Sequence, residues 1–203
     1  MTVQAETSEA QQRFVAFCTT AGVKCVLIEL AHGEHAAQPM TATFHHGELP
    51  AVLAEIEDLH QRLHVAGFPV VRIKLEAVAA NEGVPADATA AQAFPPACYF
   101  EFHAKLLLPP ESDRALLQRL CELHDAKLSR NARRQRDDGS AERFVTQRAY
   151  RVGRVEAFAG FDVFLEQLRS HGFSVLNQQR EYTLYDSAAT LDAGWIEIPD
   201  SLE

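Results

Sequence analysis

This 203-residue sequence predicts an α+β fold of two related halves, in which two mostly antiparallel sheets enclose a polar cleft and the helices lie outside. Three observations carry the prediction. The stretch Tyr99–Leu108 alternates apolar and ionisable side chains; amphipathic helical segments stand between strand-like segments; and one helix-to-strand junction occurs twice.

Taken in order, Phe14, Val15, Phe17 and Cys18 fall at helical spacing over residues 8–21, with Ser8 placed to cap the start and Gly22 to end it. Residues 24–30 form a compact apolar strand. Residues 31–40 read as a loop with Gly33 and Pro39, and residues 41–46 as a second short strand. The next helix, over 48–66, puts Leu49, Val52, Leu53, Ile56, Leu59 and Leu63 on one stripe and closes at Gly67. Residues 68–77 then form a strand with Val71, Ile73 and Leu75 toward the core and Arg72, Lys74 and Glu76 on the other face.

Residues 78–96 are rich in Ala, Gly, Pro and Thr and read as a long connecting loop. After the alternating strand, Pro109, Pro110 and Ser112 open a helix over 113–128, and the basic, Gly-containing stretch 129–141 reads as an exposed loop. A strand over 142–152 turns Val145 and Ala149 to the core and Thr146, Arg148 and Tyr150 to the cleft. A helix over 160–171 closes at Gly172, and residues 173–185 form the last strand. The acidic tail, 186–203, carries Trp195 and is expected to pack across the body.

The repeated junction is Leu-x-x-x-Gly-Phe-x-Val, at Leu63–Val70 and again, 105 residues later, at Leu168–Val175. In each copy a glycine ends a helix, a phenylalanine anchors the turn and a strand begins. The same offset sets Thr41 opposite Thr146. Strands and helices in this order make each half, about 24–80 and 97–185, a ferredoxin-like unit within a single globular domain.

Composition narrows the function classes. An apolar content of 47% and a charged content of 23% suit a globular protein. A net charge of −9 and a pI near 5.5 disfavour broad contact with nucleic acid. No apolar run reaches the roughly 20 residues needed to cross a bilayer, and residues 1–12 are too polar for a signal peptide. Four cysteines without C-x-x-C spacing point to reduced thiols and a cytoplasmic setting, with no cofactor or metal required. The sequence does not disclose the oligomeric state.

The leading candidate site is the ionisable face. His103 and Glu101 are the candidate catalytic pair, with His103 as general base. Arg72, Lys74, Lys105, Thr146, Arg148 and Tyr150 are the candidate ligand-binding residues. Arginine grips phosphate or carboxylate bidentately and lysine acts as a point charge, so a small anionic ligand fits, and a net positive cleft is expected. Three alternatives stand: a hydrolase or phosphodiesterase using His103 as general base, a solvated sheet face crossed by ion pairs, and a module that binds another protein. His32, His35, His45 and His46, and the pair His60 and His64, are further loci without a recognised metal-binding pattern. The basic run Lys127–Arg136 reads as a solvated segment.

A short strand at Thr41–Phe44, Gly47-Glu48-Leu49 opening a helix, and Gly67-Phe68-Pro69 leading into a strand resemble the two-histidine phosphoesterases, the 2′,5′ RNA ligase-like proteins. The resemblance implies paired sheets with one His-x-Thr motif from each half. The matching positions are Pro39-Met40-Thr41 and Phe144-Val145-Thr146, which keep both threonines and neither histidine. Proline and phenylalanine exchange no protons, so that phosphodiesterase chemistry is not expected.

Overall fold

The structure, a computed structural model, describes residues 1–29, 37–192 and 195–196; the side chains of Glu29 and residues 130–135 are outside the description. The fold is α+β, with five helices and two antiparallel sheets among the described residues. The strands are β1 (Thr2–Val3), β2 (Lys24–Glu29), β3 (Ala37–Ala42), β4 (Val70–Arg72), β5 (Lys74–Val78), β6 (Tyr99–Leu108), β7 (Ala126–Gln135), β8 (Ala141–Tyr150) and β9 (Ser174–Asp186). They hydrogen-bond in the order β4-β1-β3-β2-β7-β8-β6-β9-β5, every neighbour antiparallel. Among the described residues one pair, Glu29 with Arg130, joins β2 to β7. The run therefore divides there into a four-stranded and a five-stranded sheet.

The helices are α1 (Ser8–Ala21), α2 (Leu49–Val65), the short α3 (Ala88–Ala91), α4 (Arg114–Leu123) and α5 (Arg154–Ser170). Residues 2–72 run β1-α1-β2-β3-α2-β4, and the fourth strand lies beside the first with the third on its far side. Residues 99–186 run β6-α4-β7-β8-α5-β9 with the same placement, and β5 extends the edge beyond β9. Thr41 in β3 and Thr146 in β8 thus stand on corresponding third strands.

Each sheet buries one face under its own helices. Val3, Phe14, Cys18, Leu59, Leu63 and Phe68 form the core under α1 and α2. Phe100, Phe102, Leu106, Leu117, Phe161 and Phe164 anchor the larger core under α4 and α5, where the rings of Phe102 and Phe161 stack with centroids 4.7 Å apart. Side-chain caps hold two of the long helices. The Thr7 hydroxyl accepts from the Ala10 amide at 3.1 Å, and the Asp113 carboxylate from the Leu116 amide at 2.8 Å.

Several elements differ from expectation, each for a local reason. Thr7, not Ser8, caps α1, while Gly22 ends it in the left-handed conformation as expected. Leu49 and Leu53 are about half exposed because α2 meets the sheet only through its C-terminal half. The helix expected over 113–128 stops at Leu123; Asp125 takes a positive φ of 51°, and the supposed basic loop is strand β7. Ala126 then turns inward at 2% exposure, a period-2 signal too brief to outweigh the preceding helix. Helix α5 starts at Arg154, six residues earlier than expected, behind Gly153 and with no side-chain cap to mark it. The second short strand, expected over 41–46, is β3 and ends at Ala42. The strand expected over 68–77 breaks at Ile73 into β4 and β5, which belong to different sheets.

Candidate functional site

Strand β6 sorts its side chains by parity. Phe100, Phe102, Ala104, Leu106 and Leu108 are fully buried against the helices, so Tyr99, Glu101, His103 and Lys105 emerge on the opposite face. On β8 the registered partners are Tyr150 opposite Tyr99, Arg148 opposite Glu101, Thr146 opposite His103 and Phe144 opposite Lys105. On the other flank, β9 sets Thr183 beside Tyr99 and Glu181 beside Glu101.

Glu101 is 3% exposed and sits among three cationic groups. It accepts from Arg148 Nε at 2.6 Å, from His103 Nε2 at 3.1 Å and from Lys74 Nζ. The other ring nitrogen of His103, Nδ1, lies 2.9 Å from the Thr146 hydroxyl. Arg72 donates to Asp186 through Nε at 2.8 Å and Nη2 at 2.6 Å, and to Asp192 through Nη1 at 3.1 Å and Nη2 at 2.9 Å. Arg148 Nη2 reaches the same Asp192 carboxylate at 2.6 Å, and Gln38 Nε2 donates to it at 3.1 Å. The Tyr99 hydroxyl donates to Asp186 at 3.1 Å, and the Arg148 guanidinium lies 4.7 Å from the Tyr99 ring centroid.

This convergence defines how the strands curve. Arg72 on β4 and Arg148 on β8 are five places apart in the strand order. A flat sheet would separate them by about 24 Å, at about 4.8 Å per strand. Both instead contact one carboxylate. Only Ile73 separates β4 from β5 in the chain, so the two ends of the strand order meet at a corner.

The cations of this network are all paired with carboxylates, and Lys74 also binds Glu76 at 2.7 Å. Arg72, Lys74 and Arg148 face Glu101, Asp186 and Asp192. The expected net positive face is therefore not what these groups form. Burial alone would push the Glu101 carboxyl up, but Lys74 and Arg148 hold it well below its ordinary range. Burial likewise opposes ionisation of Asp186 and Asp192, and their arginine partners reverse the effect. Burial also disfavours the His103 imidazolium, yet the hydrogen bond and charge of Glu101 leave its pKa raised. Glu181, 3.8 Å from His103, is pushed up by burial and by Glu76.

Three buried polar atoms on this face lack an ordinary hydrogen bond. Arg148 Nη1, Tyr150 Oη and Thr183 Oγ1 are buried and make no hydrogen bond of ordinary geometry to the described residues, although Arg148 stands close enough to Tyr150 to interact with its phenol. Arg148 is 8% exposed overall. Burial pushes the Tyr150 phenol up, with Arg148 opposing the shift.

Of the residues singled out from the sequence, Arg72, Lys74, Glu101, His103, Thr146 and Arg148 make one connected network, with Tyr150 against Tyr99 at its edge. Lys105 shares the face but turns away to pair with Glu142 at 2.5 Å, where Arg136 also binds at 3.0 Å. His45 bonds Glu55 and, at 2.8 Å, Thr43, and His60 lies 3.7 Å from Glu57. Among the described residues no group of three or more His, Cys, Asp or Glu side chains is placed to hold a metal ion; His32 and His35 lie outside them. The Lys127 side chain is half-buried, and those of Arg130, Arg133 and Arg134 are outside the description. All four cysteines are free thiols, and burial pushes Cys121 up to about 12.

Sequence reasoning missed Gln38, Glu181, Asp186 and Asp192. Asp186 is hidden by a β-bulge: Leu75 pairs with Tyr185 but Glu76 with Thr183. The extra residue shifts parity, so Asp186 joins Glu181 and Thr183 on the polar face while Tyr185 is 56% exposed. Asp192 comes from a single 3₁₀ turn, Ala189–Asp192, in the tail. Part of the expected packing of that tail is seen at Trp195, whose indole nitrogen donates to the Leu128 carbonyl at 3.5 Å; residues 193–194 and 197–203 lie outside the described residues.

No protein family, curated protein or solved structure matches this chain. Among the described residues no helix is long and apolar enough to cross a membrane.

Proposed function

We propose that the chain is a cytoplasmic protein built from two pseudo-duplicated ferredoxin-like halves. It binds a small anionic ligand, bearing phosphate or carboxylate, on the polar surface where the halves face each other. The shared element order and strand placement of residues 2–72 and 99–186 support the duplication. That arrangement is also what the two-histidine phosphoesterase resemblance leads one to expect. The catalytic residues of that family have no counterpart at Pro39 and Phe144, so the proposal is binding without phosphodiester chemistry.

The unmatched pair, Arg148 Nη1 and Tyr150 Oη, carries the reading. A buried guanidinium N–H or phenol without a partner costs roughly 1–3 kcal/mol, more beside a charge. One ligand oxygen accepting from both groups would recover that cost. The ion-paired network favours an anion brought to this pair over a broad electrostatic trap. The second reading makes His103 a general base, but both of its ring nitrogens already have partners and its raised pKa favours the charged form, which cannot accept a proton.

A thermal-shift titration of the wild type with phosphate, nucleotide and dicarboxylate panels tests the proposal. At least one anion should raise the Tm, and Tyr150→Phe should respond less. If no anion stabilises the wild type, the face is a structural ion-pair network and the protein-interaction reading takes its place.

A further inference from the structure

Asp186 and Asp192 both bind Arg72, but the chain holds them differently. Asp186 belongs to the β-ladder: it pairs with Lys74, and the Ala188 amide donates to its carboxylate at 3.2 Å. Asp192 sits on one 3₁₀ turn outside any ladder. The turn is closed by the Leu191 amide on the Ala188 carbonyl at 3.1 Å, and the Trp195 and Ile196 amides donate to the Asp192 carbonyl at 3.0 Å each. The Gln38 side chain ties this turn to the sheet at two points, the Leu191 carbonyl at 3.4 Å and the Asp192 carboxylate. The Asp192 carboxylate is nevertheless 3% exposed and accepts from two guanidiniums and an amide. Planar donors from Arg72 and Arg148 arranged around two oxygens match a carboxylate's shape.

We infer that Arg72, Arg148 and Gln38 form a carboxylate socket that Asp192 fills from within the chain, and that an external carboxylate takes the same place when Asp192 is withdrawn. The inference rests on the reading of this face as an anion site and names its ligand class and its gate. Asp192 is tethered, so its effective concentration is high and a free monocarboxylate competes poorly while it is seated. Deleting its carboxylate leaves the donors in place beside a space of matching size. A ligand offering one carboxylate to the socket and an oxygen to Arg148 Nη1 and Tyr150 Oη would have the advantage over Asp192 alone.

The test compares wild type with Asp192→Ala in sodium formate, acetate, phosphate and chloride at matched ionic strength, read by thermal shift. Formate and acetate should raise the Tm of Asp192→Ala well above chloride, with half-saturation at least about tenfold lower than in wild type, a difference near 1.4 kcal/mol. Equal shifts in formate and chloride overturn the socket, as do equal shifts in variant and wild type. A response to phosphate alone overturns the carboxylate assignment. Should Asp192→Ala fail to fold in chloride, refolding yield replaces Tm: recovery in formate supports the socket and no recovery overturns it. The underlying reading is judged separately. A wild-type anion response that Tyr150→Phe reduces keeps it standing even if Asp192→Ala shows no rescue. Rescue of Asp192→Ala beside a silent wild type upholds the socket and removes the reading.

Discussion

Arg72 and Arg148 meet at a single oxygen: Nη2 of the first lies 2.9 Å, and Nη2 of the second 2.6 Å, from Asp192 Oδ2. That one atom bridges the edge of the smaller sheet, an interior strand of the larger sheet and the tail. Hydrophobic cores stabilise each sheet with its own helices, whereas this contact ties the polar faces together.

Truncating one member should therefore be severe. Arg148→Ala removes a buried cation from both carboxylates, leaving Glu101 with Lys74 and His103 and Asp192 with Arg72 and Gln38, and breaking such a network typically costs about 3–5 kcal/mol. Urea denaturation should show a loss of that size. A loss below about 1 kcal/mol, the range of solvated surface pairs, would mean that water already screens the network.

Gly153 tests a different contact. A Cβ there would lie 2.1 Å from the Asp87 Cα and 2.3 Å from its carbonyl carbon, both backbone atoms. The loop after β5 is pinned at this point, since the Arg154 amide donates to the Pro85 carbonyl at 2.9 Å. A rigid backbone cannot yield as a flexible side chain would, so Gly153→Ala should cost about 3 kcal/mol, the upper end of overpacking effects. Gly160→Ala, where nothing lies within 4 Å, is the control and should be neutral or slightly stabilising. Equal stabilities in the two variants would show that the loop moves freely.

The site was legible where a period was unbroken and illegible where it was broken. Ten uninterrupted residues at period 2 placed Glu101 and His103 on one face, and the same pattern placed Thr146 and Arg148 opposite them. Arg72 and Lys74 were found through the same alternation, although the strand assumed for them is two strands. Asp186 was lost because no glycine or proline marks the bulge that turns it inward. Asp192 was lost because its contact with Arg72 spans 120 residues and no local pattern encodes it. The expected positive face failed for the same reason, since Asp186 and Asp192, two of the carboxylates that neutralise it, come from the end of β9 and the tail. Strand β7 was misread because a leucine-rich helix runs directly into it.

Two-histidine chemistry should be absent. Purified protein should neither open 2′,3′-cyclic nucleotides nor cleave 2′,5′ linkages, because Pro39 and Phe144 offer no proton and both nitrogens of His103 are engaged. Turnover of either substrate that His103→Ala abolishes would reverse this and make His103 catalytic.

The pH dependence of stability should separate His103 from the carboxylates around it. Its folded pKa lies above the ordinary 6.5 because the hydrogen bond and charge of Glu101 outweigh burial. Such a group stabilises the fold fully below 6.5 and loses that contribution as pH rises through the folded value. Glu101, Asp186 and Asp192 behave in the opposite sense. Their folded pKa values are depressed below ordinary values of 4.5 for Glu101 and 3.8 for the two aspartates, so their contribution is present above those values and lost as pH falls through the folded ones. A Tm-against-pH curve should therefore fall on both sides of a plateau between about pH 5 and 6.5. His103→Gln keeps a hydrogen-bonding group near Glu101 and Thr146 but cannot titrate. It should flatten the alkaline limb and leave the acid limb in place. If the alkaline limb survives His103→Gln unchanged, His103 does not carry its charge in the folded state, and the Glu101–His103 contact is a neutral hydrogen bond.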